Sequence, residues 1–504
     1  MIPPFRRILI ANRGEIAVRI ARACRELGIE SVAVYSDGDV EAVHAEVADE
    51  AIRIGPARAS ESYLSVAALI DAALRANAEA VHPGYGFLSE NAGFARAVEA
   101  AGLVWIGPPP ATLASLGDKL AARRAVAAAG VPIVPGLVLP LGEAPPEELA
   151  GVGYPAMLKA AAGGGGRGMR RVERAGDLEG LLAAARAEAK AAFGDPTLYL
   201  EHLVSPARHV EVQLLGDQGG GLVCLGERDC SVQRRHQKLV EETPSPAVTP
   251  AIREALFESA RLVAATVDFH NAATVEFLLG ADGQHYFLEM NTRLQVEHGI
   301  TELVTGLDLV AWQIRIAAGE RLPPEVASAT PRGHAIEVRL YAEDPYDGFR
   351  PVGGAVTTWR LPQGPGVRVD AAVKPGLPLP VEYDPLLAKV MVHAADRPAA
   401  LQRMRRALDE TLVGGLQTDL GFHQWLLDEA GFAAGAYDTG LVADRWGGGV
   451  TLAREDASLL ALAGLAARTA EAAAPERSPS GQAEAADAEG DSPWAQLARR
   501  EALR

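Results

Sequence analysis

A chain of 504 residues exceeds what one ordinary core organises and implies about two to four domains. Hydrophobic residues at 48% and charged residues at 22% are ordinary for a globular enzyme, while a formal net charge of −17 argues against nonspecific binding to nucleic acid. Cys24, Cys224 and Cys230 show neither metal-ligand spacing nor a disulfide framework, and no apolar run reaches signal-peptide or membrane-span length, so a cytoplasmic protein off the membrane is expected.

Strand and helix signals alternate from the start. Arg7–Ala11 reads as a buried strand, Glu15–Leu27 as a helix ended by Gly28, and Ser31–Tyr35 as the next strand. Tyr63–Ala76 and Asn91–Ala101 follow as helices, with strands at Ala80–His82 and Val104–Ile106. Strands separated by helices imply a doubly wound parallel sheet. The first turn lacks a GxGxxG, so a dinucleotide site is a weak reading. Residues 116–204 read as a small separate region. It has a helix at Lys119–Ala129, a strand at Ala156–Lys159, a loop at Gly163–Gly168 and a helix at Asp177–Phe193. Bare backbone N–H groups in that glycine loop suit phosphate oxygens, and the loop's freedom suits a lid.

The segment from Glu227 to Lys238 carries a cationic cluster. Read as one extended strand, it sets Gln233, Arg235 and Gln237 on one face and Arg234, His236 and Lys238 on the other. Such a row can hold phosphates or a small oxyanion, although an exposed edge strand explains it equally well. Two alternating apolar runs then flank Asp282-Gly283, a two-residue hairpin signal. Counting outward from that turn pairs Glu276 with Glu289. Opposed carboxylates repel, and a divalent cation removes the conflict. Asn291, on the same face, adds a third oxygen ligand. Arg293, Gln295 and Glu297 continue the alternation and place a guanidinium, an amide and a carboxylate beside the metal. That set suits a planar oxyanion that must lose a proton. Residues 205–450 are mixed, with several antiparallel hairpin signals, and Ala470–Ser492 has the composition of a disordered linker before a short terminal element from Pro493.

Taken together, ILIANRGEIAVRI, HPGYGFLSEN, GDK, KAAAGGGGRGM, RHVEVQ, ERDCSVQRRHQKLVEE, EMNTRLQVEH, GHAIEVRLYAEDP and YDPLLAK resemble the ATP-grasp enzymes and, within them, the biotin carboxylase family, over roughly residues 5–450. The resemblance implies an α/β fold. A doubly wound parallel-sheet (pre-ATP-grasp) domain spans 1–115, and an ATP-grasp domain spans 116–330 with a mobile lid at about 131–204. A mixed β-rich C-terminal domain covers 331–450, and a helix, linker and terminal segment cover 451–504. It implies that ATP phosphorylates bicarbonate to carboxyphosphate and that N1 of biotin, on a carrier, captures the carbon dioxide released.

By the same resemblance Lys119, Lys159, Gly165, Gly166, His209, Gln233 and His236 hold ATP, with Glu201, His202, Leu203 and Val204 as the adenine hinge. Glu276 and Glu289 touch nucleotide and, with Asn291, bind Mg²⁺ or Mn²⁺. Lys238, Arg293, Gln295 and the Val296 backbone bind bicarbonate. Glu297 is the general base, Arg339 stabilises the biotin enolate, and Tyr85 adds a biotin contact. Ala162 and Gly299 depart from the usual glycine and proline. No Met-Lys-Met biotinylation site occurs, so the biotin carboxyl carrier protein and carboxyltransferase are expected as separate subunits, with the chain itself a homodimer. The leading expectation is the first half-reaction of an acetyl-CoA or acyl-CoA carboxylase of fatty acid biosynthesis. The alternatives are a two-subunit pyruvate carboxylase, another ATP-grasp carboxylate–amine ligase, or an inactive scaffold.

Overall fold

The computed structural model describes residues 4–139, 149, 151–161 and 169–447. The Gly163–Gly168 loop with Gly165, Gly166 and Ala162, and the tail with its expected linker and terminal element, lie outside these residues.

The N-terminal sheet is parallel, in the spatial order Glu50–Gly55, Glu30–Ser36, Arg7–Ile10, Ala80–His82, Val104–Trp105. The strand Glu50–Gly55 is an addition to the sequence reading. It is an edge strand with only its last two residues buried, so its apolar alternation is faint. Strand order reverses between Arg7–Ile10 and Ala80–His82, the place where open α/β sheets hold ligands. The two loops leaving those strands are tied by Asn12 Nδ2, which donates at 2.7 Å to both the Pro83 and Tyr85 carbonyls.

A second, eight-stranded antiparallel sheet runs in the order His285–Asn291, Asn271–Gly280, Ala207–Gly216, Leu222–Arg234, Gln237–Thr243, His334–Tyr341, Leu386–Ala394, Val367–Ala371. One face carries Val210, Val212, Leu214, Val275, Phe277 and Leu279. They pack on the helix Pro250–Ala265, whose apolar stripe is Leu256, Ala260 and Val263. Thr249 caps that helix by accepting from Ile252 N–H, and Pro250 opens it without losing a hydrogen bond. Each buried Leu or Val there contributes about 1.5–3 kcal/mol. The opposite face of the same strands therefore stays polar. The sheet continues past residue 330 without a break, because Val240 pairs with Val338 and Arg339 with Lys389. Helices Arg397–Glu410 and Leu420–Asp428 cover its far half through Met404, Leu408, Phe422 and Leu426.

A third sheet, Gly136–Leu139, Leu198–His202, Ala156–Ala160 and Arg170–Val172, stands apart with the helix Ala175–Phe193. It has its own core of Leu139, Leu158, Val172, Leu178, Ala185 and Leu200.

Candidate active site

Two structural accidents compensate at the carboxylate hairpin. The loop between Gly280 and Gln284 has three residues, with Gly283 in the left-handed region at φ +81°, where two were expected. That alone would shift the pairing by one. A bulge at Leu288 shifts it back, so Glu276 faces Glu289 and Thr274 faces Asn291. The expected pairing holds although the expected turn does not.

The row extends beyond that pair. Glu276 is also the cross-strand partner of Glu211, and Glu211 of Arg228, so Glu289, Glu276, Glu211 and Arg228 line up across four strands. Arg228 is fully buried. Its Nε donates to Glu211 at 2.6 Å, and its other nitrogens donate to Gln213, Thr301 and Thr274. Sequence reasoning missed Glu211 and Arg228 as site residues. The available signal was a charged residue in the middle of the apolar run Val210-Glu211-Val212.

The Gln233–Lys238 segment corrects the sequence reading. It is a hairpin and not one strand, because Gln233 pairs with Lys238 and Arg234 with Gln237. Arg235 and His236 are the two turn residues, at φ +49° and +68°. Both φ angles are thus positive, as in a type I′ turn, without Gly or Asn, which is why the turn escaped the pattern. Gln233 and Lys238 consequently share a face. His236 is held below its ordinary pKa by burial and then by the charges of Lys159 and His209, which leaves it neutral near pH 7.

Lys238 is the hub. Its Nζ reaches Glu211 at 2.7 Å, Glu276 at 3.0 Å and Glu297 at 2.6 Å. Burial disfavours the charge, but Cys230 and these carboxylates raise its pKa well above the ordinary lysine value. Glu276 Oε1 also accepts from Asn291 and Gln295, and its Oε2 meets His209 at 2.9 Å. Burial opposes ionisation of Glu276, yet Lys238 and His209 hold it well below the usual carboxylate range. Glu289 pairs with Lys119 at 2.9 Å. Two carboxylates in register, with the Asn291 amide beside them, fit a divalent ion bound through oxygen.

Residues 292–297 leave the sheet, so Arg293, Gln295 and Glu297 are not on one strand as expected. Their side chains still converge. Arg293 donates to Gln295 Oε1 at 3.0 Å and Asn291 Oδ1 at 3.1 Å, and pairs with Glu90 at 3.2 Å. Glu297 stands at the N-cap of the helix His298–Thr305 and is fully buried. Its second oxygen accepts from Arg339 at 3.0 Å. Burial would raise its pKa, but Lys238, Arg339 and Arg228 hold the carboxyl well below the ordinary value, so it is ionised at neutral pH. Arg339 is shared, since Glu241 lies 2.5 Å from the same nitrogen. Gly299 is the second residue of that helix, where a Cβ would overlap the Met391 sulfur, so glycine here matches the bulk of Met391.

The remaining expected nucleotide residues lie on the third sheet. Lys159 is ion-paired with Glu201, which also has Arg123 at 3.7 Å. The N–H groups of His202 and Leu203 donate to the Pro135 and Pro155 carbonyls, so two of the four hinge residues have their donors engaged internally. Tyr85 hydrogen-bonds through its hydroxyl to Glu15. Lys119, Lys159, Glu201, Val204, His209, Gln233, His236, Lys238, Glu276, Glu289, Arg293, Arg339 and Tyr85 all line one cleft of about 1750 Å³, larger than a pocket for one small ligand.

Models of protein families match the chain in three consecutive stretches: the biotin carboxylase N-terminal domain at 4–113, the ATP-binding domain of the carbamoyl-phosphate synthase L chain at 118–325, and the biotin carboxylase C-terminal domain at 337–444. A biotin carboxylase of a Nostoc species is 49% identical over 440 residues, covering 87% of this chain and 98% of that one. A pyruvate carboxylase subunit from Methanothermobacter thermautotrophicus is 46% identical over 87% of this chain and 89% of its own. Among solved structures, a biotin carboxylase complex from Campylobacter jejuni superposes with a TM-score of 0.84 at 42% identity, covering 88% of this chain and 99% of that one. The biotin carboxylase domain dimer of the Hydrogenobacter thermophilus 2-oxoglutarate carboxylase, solved with MgADP and bicarbonate, gives 0.83 at 42% identity over 88% and 98%.

Proposed function

The chain belongs to the biotin carboxylase family, and we propose on that premise how its cleft carries out ATP-dependent carboxylation of biotin. The observation that supports the assignment of roles is that Lys238, Arg293 and Arg339 line the cleft whose wall carries the Glu276–Glu289 pair, with Glu297 buried behind that lining on Lys238 and Arg339.

Lys119, Lys159, His209, Gln233 and His236, with Glu201 to Val204 at the base, hold ATP. Gly165 and Gly166 complete the phosphate contacts in this reading. Glu276, Glu289 and Asn291 hold Mg²⁺ or Mn²⁺, which when bound neutralises phosphate charge as it develops. Lys238, Arg293, Gln295 and the Val296 backbone orient bicarbonate. Glu297, already ionised, accepts the bicarbonate proton as an oxygen attacks the γ-phosphorus and ADP departs. Carboxyphosphate then yields carbon dioxide and phosphate. The phosphate released from carboxyphosphate takes the N1 proton, N1 attacks carbon dioxide, and Arg339 stabilises the negative charge on the biotin ureido oxygen, with Tyr85 bordering that position. Glu297 bridges Lys238 and Arg339, whose charges are further balanced by Glu211, Glu276 and Glu241.

The carrier of biotin and the carboxyltransferase are separate subunits in this reading, and the chain is a cytoplasmic homodimer. Cys24, Cys224 and Cys230 are free, and no described helix is long and apolar enough to cross a membrane. The final acceptor is an acyl-CoA. A pyruvate acceptor is the second reading, favoured by the similarity to the Methanothermobacter pyruvate carboxylase subunit.

ADP release measured with and without bicarbonate and free biotin tests the reaction. Release stimulated by both supports it, and release indifferent to both would end it. Affinity capture of partner subunits from the native host separates the acceptors.

A further inference from the structure

Glu15 and Lys389 have no part in the chemistry above, yet the fold brings them to its edge. Lys389 lies on the strand Leu386–Ala394, opposite Arg339, with a fully buried side chain. Its ammonium donates to the Val296 carbonyl at 2.8 Å and meets Glu15 Oε1 at 3.2 Å, with Asp370 farther off at 3.8 Å. Glu15 in turn accepts the Tyr85 hydroxyl, and the Tyr85 ring faces the ammonium with its centroid 5.9 Å away. One side chain from each of three distant segments thus meets at one point: the first helix, the loop after Ala80–His82, and the strand Leu386–Ala394.

Burying an ammonium costs several kcal/mol before its partners compensate, and an apolar side chain would fill the same space more cheaply. What an apolar residue cannot do is donate to Val296. That carbonyl lies between the end of the strand at Asn291 and the start of the helix at His298, outside both hydrogen-bond ladders. It belongs to the peptide that carries the N–H of Glu297. A rotation of this peptide swings the Glu297 carboxylate, which is held to Lys238 at 2.6 Å and Arg339 at 3.0 Å. Displacements of about 1 Å at a reacting group can cost a hundredfold in rate.

We propose that Lys389, braced by Glu15 and Tyr85, is a positioning residue that fixes the Val296–Glu297 peptide and through it the proton-accepting carboxylate of Glu297. This rests on the reading of Glu297 as the base.

The test uses the full chain with MgATP, bicarbonate and free biotin, and follows ADP release. Lys389→Met keeps length and apolar packing but removes the donor. It should lower kcat for bicarbonate-dependent release at least tenfold while KM for ATP stays within twofold. A kcat within twofold of the parent, or equal losses in kcat and in ATP affinity, would overturn the proposal. If Lys389→Met does not fold, Glu15→Gln decides. It should lower kcat three- to tenfold at constant ATP KM, and an unchanged kcat overturns the proposal. A parent protein without bicarbonate-dependent release would instead sink the functional reading, and this inference with it.

Discussion

Glu242 lies outside the proposed chemistry, yet four hydrogen bonds converge on its carboxylate. It follows Glu241 in the strand and points to the other side of the sheet. There it accepts from His334 at 2.7 Å, Arg397 at 2.7 and 3.0 Å, and Tyr437 at 2.5 Å. Burial opposes ionisation, but His334 and Arg397 hold the carboxyl down at about 2, below the ordinary glutamate value of 4.5. A depressed carboxylate stabilises the fold above its unfolded pKa, and that contribution is lost as pH falls through the folded one. The window is therefore pH 4.5 down to about 2, and the size is about 3 kcal/mol. Glu242→Gln should lower Tm at pH 7, and the gap to the parent should narrow as pH drops below 4.5. A gap independent of pH would contradict this. Arg339→Ala tests the opposite kind of charge, one whose proposed role is in the chemistry. Biotin carboxylation should fall about 10²–10³-fold with nucleotide affinity, by calorimetric titration, within threefold. Equal losses would assign Arg339 to folding.

Hairpins explain what was legible in the sequence. The Glu276–Glu289 pairing could be read because the two strands are neighbours joined by a short loop with a glycine, although the count comes out right only because the third loop residue and the bulge at Leu288 cancel. Glu211 and Arg228 could not be read as its continuation, because the strand Ala207–Gly216 reaches Asn271–Gly280 only through tertiary pairing. The parallel order of the N-terminal strands followed from their alternation with helices, whereas the edge strand Glu50–Gly55 buries too little to announce itself. Lys389 and Glu15 stood in recognisable motifs, but only the fold discloses that they meet. The Arg235-His236 turn was hidden for a physical reason: two bulky residues occupy backbone conformations that cost of order 1 kcal/mol each. Replacing both by Asn-Gly should raise Tm, as read by scanning fluorimetry, and should raise KM for ATP because His236 is lost from the cleft. An unchanged or lower Tm would mean that the turn carries no strain.

At the scale of the molecule, one eight-stranded sheet is built from strands on both sides of residue 330. The strand Gln237–Thr243 presents its outer edge to His334–Tyr341, and Glu242 relies on His334 and Arg397 beyond that point. A chain ended at Thr330 would expose an unpaired edge and strand buried carboxylates without their cations. Such a fragment should be insoluble on expression, and a soluble monomer by size exclusion would refute the continuity argued here. The four-stranded sheet around Ala156–Ala160 is the counterpart, since its core of Leu139, Leu158, Val172 and Leu200 is its own. Separate cores melt separately. Heat flowing into this enzyme should therefore register as two endotherms, a small one for the four-stranded unit and a large one for the shared sheet. If nucleotide takes the contacts proposed for Lys159 on one and His209 on the other, it should draw the two together, so that the melting trace itself reports whether the cleft is filled.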